Sequence, residues 1–212
     1  MKCFCYETES ELILCVENAE KKYKDTIRAA YFQEIDNVFI KTFPKDANGK
    51  ELVEKNFPVL GESMFKNESD WKEALLVFAE KCSCSQVAWY ITGSVSEALI
   101  GVNINPHDID IVVHTKDFYR LKNLFSDFVV EPFSDLKDTW VVRFFSRLCI
   151  NGVMIDIASD ENRNFDNHEY SSVIWNGYEI FIEPLHIRYQ IELSRNRTDR
   201  IKAIEEYRNH TK

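Results

Sequence analysis

The chain has 212 residues, of which 45% are hydrophobic and 29% charged, as in globular proteins with one sizeable domain or two small ones. No apolar run approaches a membrane span and the charged start lacks the layout of a signal peptide, so we expect a cytoplasmic protein without a membrane partner. The net charge of −9 makes a nucleic-acid partner improbable and suits a cationic small molecule better, because phosphate contacts usually require a basic face.

The first 69 residues are predicted to form a helical extension. Apolar side chains in residues 9–43 recur at spacings of three and four, which favours one long helix or two shorter ones with a buried stripe. The run from Pro44 to Gly49 breaks this pattern, and the stretch that follows to Asn67 is predicted to be irregular. This region could cover a site, bind a substrate or mediate dimerisation, and a plain packing role is the default.

A second region, residues 70–212, is predicted to hold the functional core. Asp70 is a plausible cap for a helix that starts at Trp71. After this helix, the apolar run Trp89–Thr92 reads as a strand that ends in Gly93-Ser94. The sequence Ser94-Val95-Ser96-Glu97 has the form of a helix capping box, with Gly101 as the helix stop. Free backbone N–H groups at such a helix start would favour a phosphate.

The next apolar run, residues 108–113, carries two aspartates one residue apart. Because alternate residues of a strand point to the same face, Asp108 and Asp110 are expected to project together. Two adjacent carboxylates in an apolar strand repel each other and are poorly solvated. A divalent cation would offset both costs, and Mg²⁺ suits this role because it takes oxygen ligands and leaves positions open for substrate phosphates.

A third acid lies in another apolar run. Residues 140–145 and 149–158 are predicted to pair as strands around the turn Asn151-Gly152, which would place Asp156 beside the strand of the other two acids. Three acids could hold two metal ions around a transferring phosphoryl or nucleotidyl group. Arg143, on the first of these strands, could reach a phosphate or form a surface ion pair.

The last fifty residues begin with a polar stretch, residues 160–164, that is expected to form a loop near the site. Asn176-Gly177 predicts a second hairpin, and Pro184 precedes two helices. Arg195, Arg197 and Arg200, between and on these helices, could neutralise a triphosphate or lie on a solvated helix face.

The six cysteines include two Cys-x-Cys pairs, but neither has the Cys-x-x-Cys spacing that is usual for zinc. We therefore expect ordinary reduced thiols.

The Gly-Ser dipeptide, the Asp-x-Asp pair and the later lone aspartate on a strand resemble the nucleotidyltransferase superfamily typified by DNA polymerase beta. The chain looks most like its small bacterial members, the aminoglycoside and lincosamide nucleotidyltransferases, over residues 71–207. The resemblance implies an α+β fold, with a mixed sheet flanked by helices and a C-terminal hairpin plus helices. It also implies that Asp108 and Asp110 bind metal, that Asp156 completes the site, and that Gly93 and Ser94 contact nucleotide phosphates.

The predicted activity is Mg²⁺-dependent transfer of a nucleoside monophosphate, AMP from ATP, to a hydroxyl of a small, antibiotic-like acceptor, with two metal ions and release of pyrophosphate. Three alternatives stay open: an RNA-tailing enzyme, a modifier of protein hydroxyls, and a noncatalytic partner in a two-protein system. The acceptor, the base preference and the oligomeric state are not encoded in these patterns.

Overall fold

The computed structural model describes residues 1–67, 70–137, 142–159 and 169–210. The chain begins with a four-stranded antiparallel sheet, which we call the N-terminal sheet, in the order β1-β2-β4-β3. Its elements are β1 (Lys2–Glu7), β2 (Glu11–Glu17), α1 (Lys24–Ala29), β3 (Gln33–Ile35) and β4 (Val38–Pro44).

The prediction of helices over residues 9–43 is therefore wrong, apart from the short α1. Residues 12–16 are five consecutive apolar side chains, all buried, and such a run packs as a central strand between β1 and β4. Asp36 and Asn37 connect β3 and β4 with φ values of 50° and 65°, as in the two-residue turns that join antiparallel strands. The spacing of threes and fours arose because apolar residues from several strands overlapped in one count.

The prediction of an irregular stretch up to Asn67 is also wrong, because α2 (Lys50–Lys66) occupies most of it. Pro58 and Gly61 lower the helix propensity of this segment, but tertiary packing outweighs that cost. A Cβ atom at Gly61 would lie 2.8 Å from the Cys3 sulfur, so the glycine lets α2 pack closely on β1.

The remaining chain forms a mixed seven-stranded sheet with helices around it, in the order β10-β11-β5-β6-β9-β8-β7. The strands are β5 (Trp89–Thr92), β6 (Asp108–Val113), β7 (Val129–Asp135), β8 (Phe144–Ile150), β9 (Val153–Ser159), β10 (Ser171–Trp175) and β11 (Tyr178–Ile182). The helices are α3 (Trp71–Ser83), α4 (Gly93–Leu99), α5 (Arg120–Leu124), α6 (Leu185–Ser194) and α7 (Thr198–His210).

Both Asn-Gly turns were predicted correctly. β8 and β9 pair antiparallel around Asn151-Gly152, and β10 and β11 pair antiparallel around Asn176-Gly177. All four turn residues have positive φ, which Asn and Gly adopt at low cost. β9 then pairs in parallel with β6, which confirms the expected neighbourhood of the acidic strands. The expected polar loop at residues 160–164 lies outside the described residues.

One continuous hydrophobic cluster joins the N-terminal sheet, α2 and the seven-stranded sheet. The division into residues 1–69 and 70–212 stays a prediction, but the two parts share this core. All six cysteines are free thiols, as expected. Within the described ranges, no helix is long and apolar enough to cross a membrane.

Candidate active site

Two carboxylates project side by side from the start of β6. Asp110 pairs in register with Thr92 of β5 on one side and with Asp156 of β9 on the other. Asp108 lies two residues earlier and pairs with Met154. The intervening Ile109 and the following Ile111 are buried in the core, so the alternation predicted from the sequence holds. The sheet thus brings the three predicted acids together on two adjacent strands.

The position of the Asp110 carboxylate requires a glycine at residue 93. Its φ is +67°, and a Cβ atom there would lie 2.0 Å from Asp110 Oδ2, far inside van der Waals contact. Any side chain at this position would displace the carboxylate. Gly93 therefore leaves room for the aspartate, in addition to the expected approach of a phosphate.

The capping-box interpretation of Ser94 is wrong. α4 begins at Gly93 with Thr92 as its N-cap, so Ser94 is already helical and is buried. Glu97 does not turn back to the helix start; its carboxylate pairs with Arg188 instead. The helix does stop at Gly101, whose N–H donates to the Ala98 carbonyl, as predicted.

Burial and mutual repulsion make the two carboxylates of β6 a poor place for two negative charges. Burial raises the pKa of Asp108, and the charge of Asp156 raises it further. Burial, then Asp108 and Asp156, raises the pKa of Asp110 to about 7. A divalent cation would relieve this cost, and oxygen ligands of this kind suit Mg²⁺. The residues present therefore fit the expected metal.

Asp156 has a strong partner of its own. Arg147 Nε and Nη2 donate to its two carboxylate oxygens at 2.6 and 2.9 Å. Arg147 Nη1 donates to Glu131 at 2.6 Å, and Lys41 Nζ donates to the other Glu131 oxygen at 2.7 Å. We call these four residues the Arg147 cluster. It contains two cations and two anions, and it links β4 of the N-terminal sheet to the acids.

The Arg147 cluster also limits the set of metal donors. In the part of the chain that the structure describes, no three His, Cys, Asp or Glu side chains are grouped as a metal site. Asp108 and Asp110 are thus the pair available to a cation, while Asp156 faces Arg147. Two carboxylates are enough for Mg²⁺, which commonly takes one or two from the protein and the rest of its ligands from phosphates and water.

The three acids open into a cavity of about 540 Å³. Gly93 and Ser94 line it, and so do residues 29–31 from the end of α1. Arginines from the C-terminal helices form another part of the wall: Arg188, Arg195, Arg197 and Arg200. The net negative charge of the chain is therefore not concentrated here, and the wall carries the cations that an anionic ligand needs.

Arg188 belongs to a second buried group of charges. We call it the Arg188 cluster, and its other members are Glu97, Glu183 and Glu192. Arg188 contacts Glu97 at 3.0 Å, Glu183 at 3.2 Å and also Glu192. Arg197 and Arg200 stand further off, 3.5 Å from Glu192 and 3.7 Å from Glu97. The oxygens they approach, Oε2 of both glutamates, are buried and have no hydrogen-bond partner.

Arg143 was predicted either to reach a phosphate or to form a surface ion pair, and in the structure it forms an ion pair. Its Nε and Nη2 donate to the two oxygens of Asp135 at 3.0 and 2.9 Å.

Sequence reasoning missed both clusters and the wall formed by residues 29–31. A usable signal was present: Arg147 interrupts the mainly apolar run Phe144–Ile150, and a charge inside a buried strand needs a partner. The partners themselves come from distant segments, so the sequence could not identify them.

The chain is similar to known proteins in sequence and in fold. A family model described as aminoglycoside-2''-adenylyltransferase matches residues 74–170, a range that contains all five predicted site residues. A search of curated proteins found no match.

Among solved structures, a protein described as a nucleotidyltransferase from Thermotoga maritima is similar, with a TM-score of 0.53 and 23% identity over 66% of this chain and 93% of that one. A nucleotidyltransferase-like antigen from Paracoccidioides brasiliensis has a TM-score of 0.44 and 12% identity, covering 65% and 76%. ANT(2'')-Ia in complex with adenylyl-2''-tobramycin has a TM-score of 0.45 and 10% identity, covering 63% and 87%. The α+β nucleotidyltransferase fold and the resemblance to that superfamily are confirmed.

Proposed function

We propose that this chain, which has the nucleotidyltransferase fold, moves AMP from ATP to a hydroxyl of a small molecule and releases pyrophosphate. The observation that carries the proposal is the pair Asp108 and Asp110, which lines the same cavity as Gly93 and several arginines. Such a site combines a place for a cation with counter-charges for a triphosphate.

Asp108 and Asp110 would hold Mg²⁺, which when bound would neutralise charge on the triphosphate oxygens. The expectation of two ions belongs to the proposal as well, although of the three acids Asp156 is held by Arg147, which leaves Asp108 and Asp110 as the cation-binding pair. The arginines at the end of α6 and the start of α7 would contact the phosphates of the leaving group. Because phosphoryl chemistry depends mainly on positioning and charge neutralisation, these contacts would supply much of the rate.

Asp156 is the candidate for the attacking side. Arg147 holds both of its oxygens, so the carboxylate is fixed in direction. From this position it would accept a hydrogen bond from the acceptor hydroxyl and ease loss of the proton when oxygen attacks the α-phosphorus. Gly93 and Ser94 would contact the phosphates beside the metal.

The small-molecule acceptor is supported by the family model for aminoglycoside-2''-adenylyltransferases, which spans the strands of the site. The aminoglycoside tobramycin is the natural first probe, because ANT(2'')-Ia was solved with its adenylylated form.

The test uses ATP labelled on the α-phosphate, with tobramycin, a lincosamide, tRNA and a protein extract as separate acceptors. We expect Mg²⁺-dependent label on a small molecule, and loss of at least about a hundredfold in Asp108→Asn and Asp110→Asn. Asp25→Asn, an exposed carboxylate outside the cavity, is the control and is expected to keep full activity. Label on tRNA or protein would overturn the small acceptor, and no label on any acceptor would overturn the activity.

A further inference from the structure

A row of charged side chains crosses the seven-stranded sheet and ends at the candidate acids. Glu131 of β7 pairs in register with Arg147 of β8, Arg147 with Asp156 of β9, and Asp156 with Asp110 of β6. Residues paired across neighbouring strands project from the same face of a sheet, so these four side chains form one line. Because hydrogen-bonded ion pairs join the first three, the position of Asp156 depends on a residue two strands away.

Lys41, on β4 of the N-terminal sheet, closes the far end of this row. Its Nζ donates to Glu131 Oε2 at 2.7 Å, while Arg147 Nη1 donates to Glu131 Oε1 at 2.6 Å. The Ala30 carbonyl accepts from Lys41 Nζ at 3.0 Å and from Arg147 Nη1 at 3.2 Å. The Glu131 side chain is fully buried, so water cannot take the place of Lys41. Four aromatic ring centroids also lie 5.5–5.8 Å from Lys41 Nζ, those of Tyr31, Phe32, Phe43 and Phe145.

Removal of Lys41 would change the demand on Arg147. One buried oxygen of Glu131 would lose its donor, which is costly, so Glu131 would draw the guanidinium toward both of its oxygens. Arg147 Nε and Nη2 are the atoms that hold Asp156. A guanidinium that turns toward Glu131 gives up this two-point contact, and the Asp156 carboxylate then loses its fixed direction.

We propose that Lys41 is a positioning residue for the transfer reaction, and that it acts through Glu131 and Arg147 to hold Asp156 toward the attacking hydroxyl. This inference rests on the proposed function, and it gives the N-terminal sheet a part in turnover. Lys41 lies outside the cavity lining and its side chain is only 14% exposed, so it acts on Asp156 and not on a bound ligand.

The first experiment measures transfer kinetics of Lys41→Met, which keeps an unbranched apolar side chain and removes the ammonium group. We expect kcat to fall about tenfold and the KM for ATP to stay within about twofold, because a displaced attacking-side group slows the chemical step without weakening nucleotide binding. Lys41→Gln keeps a neutral donor for Glu131 and should lose less. It serves for the same comparison where Lys41→Met yields too little folded protein.

Lys24→Met is the matched control. Lys24 belongs to the same N-terminal region and its Nζ donates to Glu34 at 2.7 Å, but this pair is separate from the Arg147 cluster. The control should keep the kcat of wild type. All kinetics are measured well below the melting temperature of each variant.

A second experiment separates positioning from a general loss of structure, by placing Lys41→Met in the Asp156→Asn background. If Lys41 acts through Asp156, the double variant should turn over no more slowly than Asp156→Asn alone. A further tenfold loss in that background would show a structural effect and overturn the role. An unchanged kcat in Lys41→Met, or a rise in its KM for ATP instead, would also overturn it while the transferase activity stands. If wild type transfers label to no acceptor, the proposed function fails first and this role fails with it.

Discussion

The candidate site contains residues of two buried charge clusters that are built differently. In the Arg147 cluster, two cations meet two anions at 2.6–2.9 Å. In the Arg188 cluster, one arginine serves three glutamates, and two of their oxygens have no hydrogen-bond partner. A closed, neutral network holds its members in place, whereas in the Arg188 cluster the two outer arginines make only long contacts with the glutamates.

The difference assigns separate tasks to the two sides of the cavity. The Arg147 cluster fixes Asp156 and the turn before Tyr31, which a positioned attacking group requires. In the Arg188 cluster, Arg197 and Arg200 are 46% and 28% exposed at the side chain and only loosely paired. They are placed to turn toward a phosphate, although doing so leaves buried carboxylates behind.

The largest effect is expected on the rigid side, from Asp156→Asn. Turnover should fall by about a hundredfold or more, because the group on the attacking side loses its charge. ATP affinity should change little, in contrast to Asp108→Asn. Steady-state kinetics with a separate nucleotide-binding measurement checks this. If ATP affinity collapsed while turnover at saturation stayed normal, Asp156 would be a nucleotide ligand.

A second comparison removes one charge from each cluster. Glu131→Gln leaves Lys41 and Arg147 facing each other without their shared anion, and should cost about 3 kcal/mol of unfolding free energy. Glu97→Gln should cost about 1 kcal/mol or less, because burial already raises the pKa of Glu97 and one of its oxygens is unsatisfied. Urea unfolding of both variants measures the difference, and equal costs would remove the distinction between the clusters.

Asp110 should make the metal-free protein less stable as pH rises. Its pKa is about 7 in the folded chain against an ordinary 3.8, so below pH 3.8 the group is protonated in both states and has no effect. From there to pH 7 only the unfolded chain releases the proton, and stability falls by up to about 1.4 kcal/mol per pH unit. Urea unfolding at several pH values, with a chelator present to remove metal, measures how the free energy of unfolding changes with pH.

Asp110→Asn supplies the control for that slope, since the amide does not titrate. The free energy of unfolding of this variant should depend less on pH than that of wild type. Near pH 8 and without metal, the variant should be the more stable of the two. A slope unchanged by the substitution would show that other groups cause it.

A modest effect on nucleotide binding is expected for Arg200→Ala, next to the Arg188 cluster. Loss of one charged contact to phosphate should weaken ATP binding by about tenfold, or 1.4 kcal/mol, and reduce its dependence on salt. Isothermal titration at two ionic strengths measures both quantities. Arg120→Ala is the control, because Arg120 lies on α5 and outside the cavity lining. An equal loss of ATP affinity in that variant would show that Arg200 makes no specific contact with phosphate.

The sequence predicted those parts of the site whose signals are local. The alternation around Asp108 and Asp110 and the two Asn-Gly turns need only neighbouring residues, and they place Asp156 beside the pair. The N-terminal sheet was missed because the buried run of β2 has no alternation to mark it as a strand, and apolar residues from several strands counted together gave spacings of three and four. Glu97 was misread for a similar reason: its spacing from Ser94 fits a cap, but its partner Arg188 lies 91 residues away.

The parallel pairing of β6 with β9 has a consequence for folding kinetics. Asp110 and Asp156 become neighbours only after the segment between them, including β7 and β8, has been placed. Like charges must therefore approach late, across a long loop whose closure is already costly in entropy. We therefore expect repulsion between these acids to oppose the step that assembles the site, and a cation held by Asp108 and Asp110 to reduce that repulsion.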